Sequence, residues 1–211
     1  MRADYPDVPL SEPGLAADWV GQFTGWLAEA VAAGLPEPNA MVLATADPCG
    51  APSARTVLLK GYDERGLVFF TNYGSRKGTE LAANPYASAV FPWHPVRRQV
   101  IVCGTVERVG RAETEAYFAR RPRDAALGAW ASPQSQPLPD RDALERAWRD
   151  TARRFPPGAP VPAPPFWGGL RIRPDTVEFW QGRQGRLHDR LRYRRTAADG
   201  TAGWTVERLA P

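Results

Sequence analysis

Apolar residues recur every four positions near the start of the chain. The stripe consists of Trp19, Phe23, Leu27 and Val31, with Trp26 and Ala30 beside it. A stripe of nearly helical period predicts a helix that packs on the core and ends at Gly34. The preceding residues 1–14 contain charges, three prolines and a glycine. They are predicted to form a flexible or extended arm ahead of a single domain, 15–211.

Runs of β-type residues separated by turn signals dominate the rest of the chain. The predicted strands are 40–46, 52–62, 67–72, 86–92, 98–109, 169–180, 186–196 and 203–209. Further helices are predicted at 75–83, 112–121, 123–130 and 140–155. Ser75 and Asp140 are the candidate N-caps of two of them. Many short strands with inserted helices predict a mostly β fold of the α+β class, an antiparallel barrel with helical additions.

The composition is that of an ordinary soluble protein, with 43% apolar and 24% charged residues. No apolar run is long enough to span a bilayer, and acidic residues interrupt the N-terminus where a signal peptide would be apolar. A cytoplasmic location is therefore expected. The two cysteines, Cys49 and Cys103, and the two histidines lack the spacing of a disulfide framework or a metal site, so no metal is expected.

The net charge of +4 favours anionic partners. Because no basic tail or nucleic-acid-binding motif occurs, small phosphorylated ligands are favoured over nucleic acid. The chain also lacks a Gly-x-Gly-x-x-Gly loop, a Walker loop and a nucleophile elbow. With so little nucleophilic or metal chemistry of its own, the chain is suited to letting a bound cofactor carry out a reaction.

Two segments have the residue types that hold phosphate groups. Residues 71–77 lead from a predicted strand into a helix N-terminus that carries Ser75, Arg76 and Lys77. Such an N-terminus suits a phosphate because its backbone N–H groups and cations point at the anion. Tyr117 and Arg121 are four apart on a predicted helix and share a face. They could hold a second phosphate or belong to a solvated basic surface.

A third candidate is the run 186–190 on a predicted strand. Because side chains alternate along a strand, Arg186, His188 and Arg190 are expected on one face. Three potential cations repel one another unless an anion or an acidic side chain neutralises them. The face is therefore either a pocket for a phosphorylated ligand or a solvated barrel surface. Trp180 either lines a ring-binding site or packs in the core.

Eleven short motifs follow one another from about residue 38 to the C-terminus. They are 55–60, 69–72, 75–77, 91–93, 98–100, 121–123, 128–130, 134–135, 166–169, 177–182 and 186–190. In this order they resemble the pyridoxine/pyridoxamine 5′-phosphate oxidase family. The resemblance implies a split β-barrel homodimer with two FMN sites at the subunit interface. Arg2 and Tyr5 are also similar to the family's substrate-covering arm.

The positions carried over from the family fall into two groups. Those that resemble FMN contacts are Arg55, Thr56, Val57, Leu58, Lys60, Phe70, Thr71, Ser75, Arg76, Lys77, Gln99, Gln134, Ser135, Trp180 and Arg190. Those that resemble substrate contacts are Lys60, Tyr117, Arg121, Arg186, His188, Arg2 and Tyr5, with Arg186 and His188 as the catalytic pair. Phe70 stands where many members have tyrosine. Ala125 stands where some have a phosphate-binding serine, which removes one hydrogen bond worth about 0.5–1.5 kcal/mol.

The implied reaction is FMN-dependent oxidation of pyridoxamine 5′-phosphate or pyridoxine 5′-phosphate to pyridoxal 5′-phosphate. A hydride passes from substrate C4′ to flavin N5, with O2 as electron acceptor and H2O2 as product. Arg186 and His188 would orient the substrate and stabilise charge at the reacting carbon. Two alternatives stay open: a related flavin oxidase or reductase with another substrate, and a non-catalytic protein that binds FMN or pyridoxal phosphate.

One geometric difficulty concerns Arg55 and Lys60. They are five apart on a predicted strand and should therefore face opposite sides of it. A bulge, contacts made from strand ends, or contacts across a dimer interface would reconcile their shared role.

Overall fold

In the computed structural model, which describes residues 8–196 and 203–211, nine strands form one antiparallel sheet. They are β1 Ala40–Ala46, β2 Pro52–Leu58, β3 Gly61–Asp63, β4 Gly66–Asn72, β5 Tyr86–Trp93, β6 Arg98–Arg108, β7 Trp167–Gln181, β8 Asp189–Arg195 and β9 Trp204–Arg208. Their order is β2-β1-β5-β6-β7-β4-β3, and β8 pairs with β7 and with β9. On one side β7 pairs with β6, and on the other with β4 and then β8. The curled sheet is the predicted antiparallel split barrel.

One face of the sheet forms the main core. Val100 on β6, Phe179 on β7 and Leu191 on β8 are fully buried, and they are cross-strand neighbours in the register. Their sequence neighbours point to the opposite face, because side chains alternate along each strand. The outward face of β6, β7 and β8 is therefore available for polar and charged residues.

A helix, α1 Trp19–Ala32, covers the core as predicted, and Asp18 caps it by accepting the Gly21 N–H at 2.7 Å. Its buried face differs from the predicted stripe, since Val31 is 58% exposed whereas Trp26 and Ala30 are buried. At about 100° per residue, a four-residue repeat drifts by about 40° at each step. By Val31 the stripe has rotated away from the core.

Four further helices confirm the predicted segments. They are α2 Arg76–Ala83, α3 Arg111–Phe118, α4 Arg123–Ala131 and α5 Arg141–Arg154. Ser75 caps α2 by accepting the Gly78 N–H, and Asp140 caps α5 by accepting the Ala143 N–H. In the part of the chain that the structure describes, no helix combines the length and apolar character that a bilayer crossing requires.

Three elements have bounds that differ from the predicted ones, and each difference places a candidate site residue outside the helix or strand on which it was predicted. Strand β2 ends at Leu58, so Lys60 lies in the link to β3, where its N–H donates to the Val68 carbonyl at 2.8 Å. Strand alternation therefore does not apply to the Arg55–Lys60 pair. Helix α3 ends at Phe118, so Arg121 lies beyond the helix rather than on it.

The predicted strand 186–196 begins only at Asp189. Gly185 and Arg186 have φ angles of 62° and 63° and lie in a short 3-10 turn, Gln184–Arg186. Two consecutive left-handed residues cannot continue a strand, because extended backbone requires negative φ. The prediction that Arg186, His188 and Arg190 share one strand face is therefore wrong, since only Arg190 lies on β8.

Candidate functional site

A buried cation lies at the N-terminus of α2. The Lys77 Nζ donates to Thr71 Oγ1 at 3.2 Å, to Gln134 Oε1 at 3.1 Å and, more weakly, to Ser75 Oγ at 3.4 Å. We call these four residues the lysine cluster. Lys77 is 7% exposed, and within the described residues all its hydrogen-bond partners are neutral. A buried charge without an opposite charge is unfavourable, so the cluster suits an anionic ligand.

The pKa of Lys77 reflects its burial without an opposite charge. Burial, together with the nearby positive charge of Arg55, lowers the pKa of Lys77 to about 8. The side chain is therefore still mainly protonated at neutral pH. A bound anion would favour the charged form and raise this pKa again.

Local sequence explains why α2 begins against the end of β4. The Asn72 side chain accepts the Gly74 N–H at 2.8 Å, which closes a tight turn after the strand. At Gly78, a Cβ atom would lie 2.3 Å from the Tyr73 carbonyl oxygen. Only glycine allows this close approach, so the turn sequence fixes the position of the helix N-terminus.

Glu80, which was not among the predicted site residues, forms ion pairs with the two neighbouring arginines, Arg55 and Arg76. Its buried carboxylate accepts hydrogen bonds from Ser53 Oγ at 2.6 Å, Thr45 Oγ1 and Arg76 Nε at 2.8 Å, and it forms an ion pair with Arg55 at 3.4 Å. Burial alone would raise the pKa of Glu80, but these hydrogen bonds hold it at about 2. The i, i+4 spacing from Arg76 was the available sequence signal.

The charged side chains near the N-terminus of α2 have a net positive charge. Arg55, Arg76 and Lys77 against Glu80 leave a local charge of +2. A phosphate monoester carries about −1.5 to −2 at neutral pH. Because Glu80 neutralises part of the charge of the arginines, Lys77 is the cation left for a ligand.

Three aromatic rings form a stack that includes Phe70, the residue before Thr71 on β4. Phe70 lies parallel to Tyr117, with centroids 3.9 Å apart, and to Trp167 at 5.4 Å. At Gly169 a Cβ atom would come within 2.9 Å of the Phe70 ring, so this stack also depends on glycine. The aromatic ring kept at Phe70 thus packs against a predicted substrate residue, Tyr117.

Arg121 reaches the same stack from beyond the end of α3. Its guanidinium carbon lies 4.9 Å from the centre of the Trp167 ring, and Nη2 donates to the Ala125 carbonyl at 3.0 Å. Its Nε is buried and has no hydrogen-bond partner within the described residues. A buried donor left unpaired is unfavourable, so a hydrogen-bond acceptor at this position would be stabilising. Tyr117 and Arg121 therefore come together through Trp167, not through a shared helix face.

A second group lies on the outward face of the sheet. Gln99 pairs with Trp180 across β6 and β7, and Trp180 pairs with Arg190 across β7 and β8, so their side chains share one face. Arg190 forms a bidentate ion pair with Glu178, with distances of 2.8 and 3.0 Å. The sequence predicted that an anion or an acidic side chain would neutralise the cations of the run 186–190. For Arg190, this acidic side chain is Glu178.

His188 lies next to this group. Its ring centroid is 4.5 Å from that of Trp180, and its Nδ1 accepts the Arg183 N–H at 3.1 Å. Burial, and then the positive charge of Arg186, lowers the pKa of His188. The neutral ring with its proton on Nε2 fits these contacts, since Nδ1 is the acceptor. Arg186 itself is exposed.

The remaining predicted residues lie around the edges. Thr56 and Lys60 are exposed, whereas Val57 and Leu58 are half-buried at the edge strand β2. Ser135 is exposed and has a φ of 71°, in the left-handed region. Arg2 and Tyr5 lie outside the described residues.

The two groups lie toward opposite ends of β7. Thr71 pairs with Gly168 near the start of β7, whereas Gln99 pairs with Trp180 near its end. At about 3.3 Å per residue, these two positions are about 40 Å apart along the strand. One chain therefore brings Lys77, Thr71, Gln134, Tyr117 and Arg121 to one end of β7, and Gln99, Trp180, His188 and Arg190 to the other.

The fold and these residues define a split-barrel protein with two separate groups of charged and aromatic side chains. Residues 27–152 match the family model described as pyridoxamine 5′-phosphate oxidase. Residues 167–211 match the model described as the pyridoxine 5′-phosphate oxidase C-terminal dimerisation region. The chain belongs to the pyridoxamine 5′-phosphate oxidase family, which confirms the resemblance found in its sequence.

Three similar proteins illustrate the range of this family and fold. A pyridoxine/pyridoxamine 5′-phosphate oxidase of Salinispora arenicola is 66% identical, over 100% of this chain and 95% of that protein. The structure of PhzG from Burkholderia lata 383, in complex with tetrahydrophenazine-1-carboxylic acid, has a TM-score of 0.88 at 33% identity and covers 97% of this chain and 98% of PhzG. A pyridoxamine 5′-phosphate oxidase-related, FMN-binding protein from Nostoc punctiforme has a TM-score of 0.71 at 22% identity, covers 94% of this chain and 100% of that one, and supports the fold.

Proposed function

We propose that this chain forms a homodimeric, FMN-dependent oxidase that converts pyridoxamine 5′-phosphate or pyridoxine 5′-phosphate to pyridoxal 5′-phosphate. The observation that carries the proposal is a pair of separate groups suited to anions at the same end of β7. Lys77 offers a buried cation with neutral partners, and Arg121 offers a buried, unpaired Nε. Two phosphorylated molecules, cofactor and substrate, match two such groups.

The lysine cluster fits the phosphate of FMN. Lys77 supplies a charged donor, Gln134 supplies an amide, and Arg55 and Arg76 complete the positive charge, while Thr71 and Ser75 accept from Lys77 and hold its ammonium group in place. Bound FMN would supply the hydride acceptor, and O2 would take up the electrons and leave as H2O2. The protein's own contribution is to fix the phosphate and thereby the position of the flavin.

Arg121 and Tyr117 would hold the substrate phosphate, while His188 and Arg186 act at its reacting end. The neutral His188 ring would present an Nε2–H donor toward a polar group near the reacting carbon, because Nδ1 is engaged by the Arg183 N–H. Arg186 would add positive charge there. His188 is a positioning donor in this scheme, and no proton abstraction by it is needed.

A second copy of the chain would complete each site. The lysine cluster and the group at Gln99, Trp180 and Arg190 lie toward opposite ends of β7, so one chain does not join them. In a two-fold dimer, each end of one subunit can meet the other end of its partner, which produces two equivalent composite sites. The match of residues 167–211 to a dimerisation region supports this arrangement.

The purified protein provides a direct test of the reaction. We expect a yellow preparation with flavin absorbance that consumes O2 when given pyridoxamine 5′-phosphate or pyridoxine 5′-phosphate, and pyridoxamine without phosphate to be a poor substrate. A protein that cannot take up FMN would overturn the proposal. A yellow protein that is inert toward both phosphorylated compounds would favour a related flavin enzyme with another substrate, or a binding protein.

Mixing two variants that are impaired at opposite ends of β7, at an FMN concentration well below the Kd of Lys77→Met, tests the composite site. Lys77→Met damages one end of β7 and Arg186→Ala damages the other. In randomly mixed dimers, about a quarter of the sites would receive both wild-type halves. Activity is therefore expected to return to about a quarter of the wild-type value after joint refolding or co-expression. Each variant mixed with itself is the control, and a mixture that stays inactive would show that each site lies within one subunit.

A further inference from the structure

Asp189 connects three separate parts of the chain. Its carboxylate, in a side chain that is 14% exposed, accepts the Leu10 N–H at 3.0 Å, Arg183 Nη1 at 2.8 Å and Arg208 Nη1 at 2.6 Å. The donors come from the N-terminal segment, from the loop before β8 and from the last strand, β9. Charge-assisted hydrogen bonds of this kind are among the stronger polar contacts in a protein.

The loop 183–188 comes directly before Asp189 in the chain and contacts its carboxylate through Arg183. Arg183, the first residue of the loop, makes two contacts that hold it. Its side chain donates to Asp189, and its N–H donates to Nδ1 of His188, the last residue of the loop. Between them Arg186 has a φ of 63°. A left-handed conformation is unfavourable for a residue with a side chain and persists where surrounding contacts enforce it. The contacts of Arg183 with Asp189 and His188 provide that enforcement.

The same network holds the N-terminal segment. Arg208 donates to both carboxylate oxygens of Glu12 at 2.9 Å and to the Leu10 carbonyl at 3.1 Å. The hydrogen bond from Arg208 lowers the pKa of Glu12 to about 2. Leu10 is buried against the main core. Residues 10–12 are thus fixed to the start of β8, one residue after His188.

We propose that Asp189 is a positioning residue, which couples the N-terminal segment and the C-terminal strand to the loop that carries Arg186 and His188. The inference rests on the proposed function, because it assigns substrate contacts to those two residues. Asp189 itself touches neither substrate nor FMN in this scheme. It acts by holding Arg183, and through Arg183 the conformation of the loop.

Substitution of Asp189 by asparagine, with Glu207→Gln as matched control, tests the coupling. Glu207 also accepts from two arginines of β8, Arg192 and Arg194, but it does not contact the loop. For Asp189→Asn we expect kcat/KM for pyridoxamine 5′-phosphate to fall about ten-fold or more, while the Kd for FMN stays within about two-fold of wild type. For Glu207→Gln we expect both quantities to stay near wild type.

Amide hydrogen exchange supplies a readout that is independent of turnover. The Leu10 amide binds Asp189 directly, whereas the Arg183 amide binds His188 and reports the loop. Both amides are expected to exchange faster in Asp189→Asn and not in Glu207→Gln. Arg208→Gln, an exposed change on β9, should accelerate Leu10 exchange even if Asp189→Asn does not fold.

The results of these experiments show whether the coupling through Asp189 fails or whether the proposed oxidase function fails. Unchanged exchange at Leu10 and Arg183 would overturn the coupling, as would a parallel loss of FMN affinity and activity, which would indicate a general structural role. A wild-type protein that oxidises neither phosphorylated substrate would overturn the proposed function. The exchange of the Arg183 amide would still decide whether Asp189 holds the loop.

Discussion

Replacing Lys77 by methionine is expected to weaken FMN binding by roughly ten- to hundred-fold, since hydrogen bonds to charged groups contribute about 1.5–3 kcal/mol. Lys77 is buried, and its partners Thr71, Gln134 and Ser75 are neutral, so no other charge in the described part of the chain satisfies it. Fluorescence titration of the apoprotein with FMN measures the change. An unchanged Kd would contradict the assignment of the lysine cluster to the cofactor phosphate.

The conservative variant Lys77→Arg distinguishes the contribution of the positive charge to FMN binding from that of the shape of the head group. Arginine keeps the positive charge but brings a planar fork in place of a compact ammonium group. Because the site places neutral acceptors at 3.1–3.4 Å around a single nitrogen, the larger head group should fit poorly. We expect Lys77→Arg to bind FMN with an affinity between those of the wild type and Lys77→Met.

The pKa of Lys77 adds a pH dependence to the same prediction. Burial and the charge of Arg55 lower it from 10.5 to about 8 in the apoprotein. Between pH 8 and pH 10.5 the unfolded chain binds a proton that the folded chain does not, so stability contributed by this group rises with pH. Below pH 8 both states are protonated, and this dependence disappears. In urea unfolding, the free energy of unfolding of the wild-type apoprotein should therefore rise relative to that of Lys77→Met across this window, and the difference between the two should stay constant below pH 8.

Replacing Arg121 by glutamine is expected to raise the KM for pyridoxamine 5′-phosphate by roughly ten- to hundred-fold, for a lost charged contact of about 1.5–3 kcal/mol. The Kd for FMN should not change, because Arg121 contacts Trp167 and Ala125 rather than the lysine cluster. Steady-state O2 consumption measures KM, and flavin fluorescence measures the Kd.

Two controls make this result specific. Arg120 is the preceding residue, is exposed and lies over the Tyr117 ring at 5.9 Å, so Arg120→Gln should leave KM within about two-fold of wild type. Pyridoxamine without phosphate should be oxidised equally slowly by the wild type and by Arg121→Gln. If the variant lost activity toward both compounds in the same proportion, Arg121 would not be the phosphate contact.

The parts of the site that follow from local rules could be predicted from the sequence. Ser75 as a helix cap and Lys77 at the helix N-terminus depend on residues within one turn, and the structure contains both. The strand pattern also gave the architecture, because alternation and turn residues are local. The ordered motifs supplied the family, which physical reasoning from residue types alone could not.

Other features depend on contacts between distant segments. Glu80 binds Ser53 and Thr45, which lie on other elements, and the stack of Phe70 on Tyr117 and Trp167 requires the folded sheet. The left-handed turn at Arg186 is invisible to an alternation rule, which assumes a continuous strand. Gly185 beside it was the one local sign that the strand begins later.

The double pairing of β7 restricts how this strand can change in evolution. Its first half is in register with β4 and its second half with β8. Loss or gain of one residue between the two halves would turn every later side chain to the opposite face. Phe179 would then move toward solvent and Trp180 into the core. Substitutions can accumulate in β7. A single-residue insertion or deletion between Ile172 and Thr176, however, would place the core residues and the site residues of its second half on the wrong faces of the sheet.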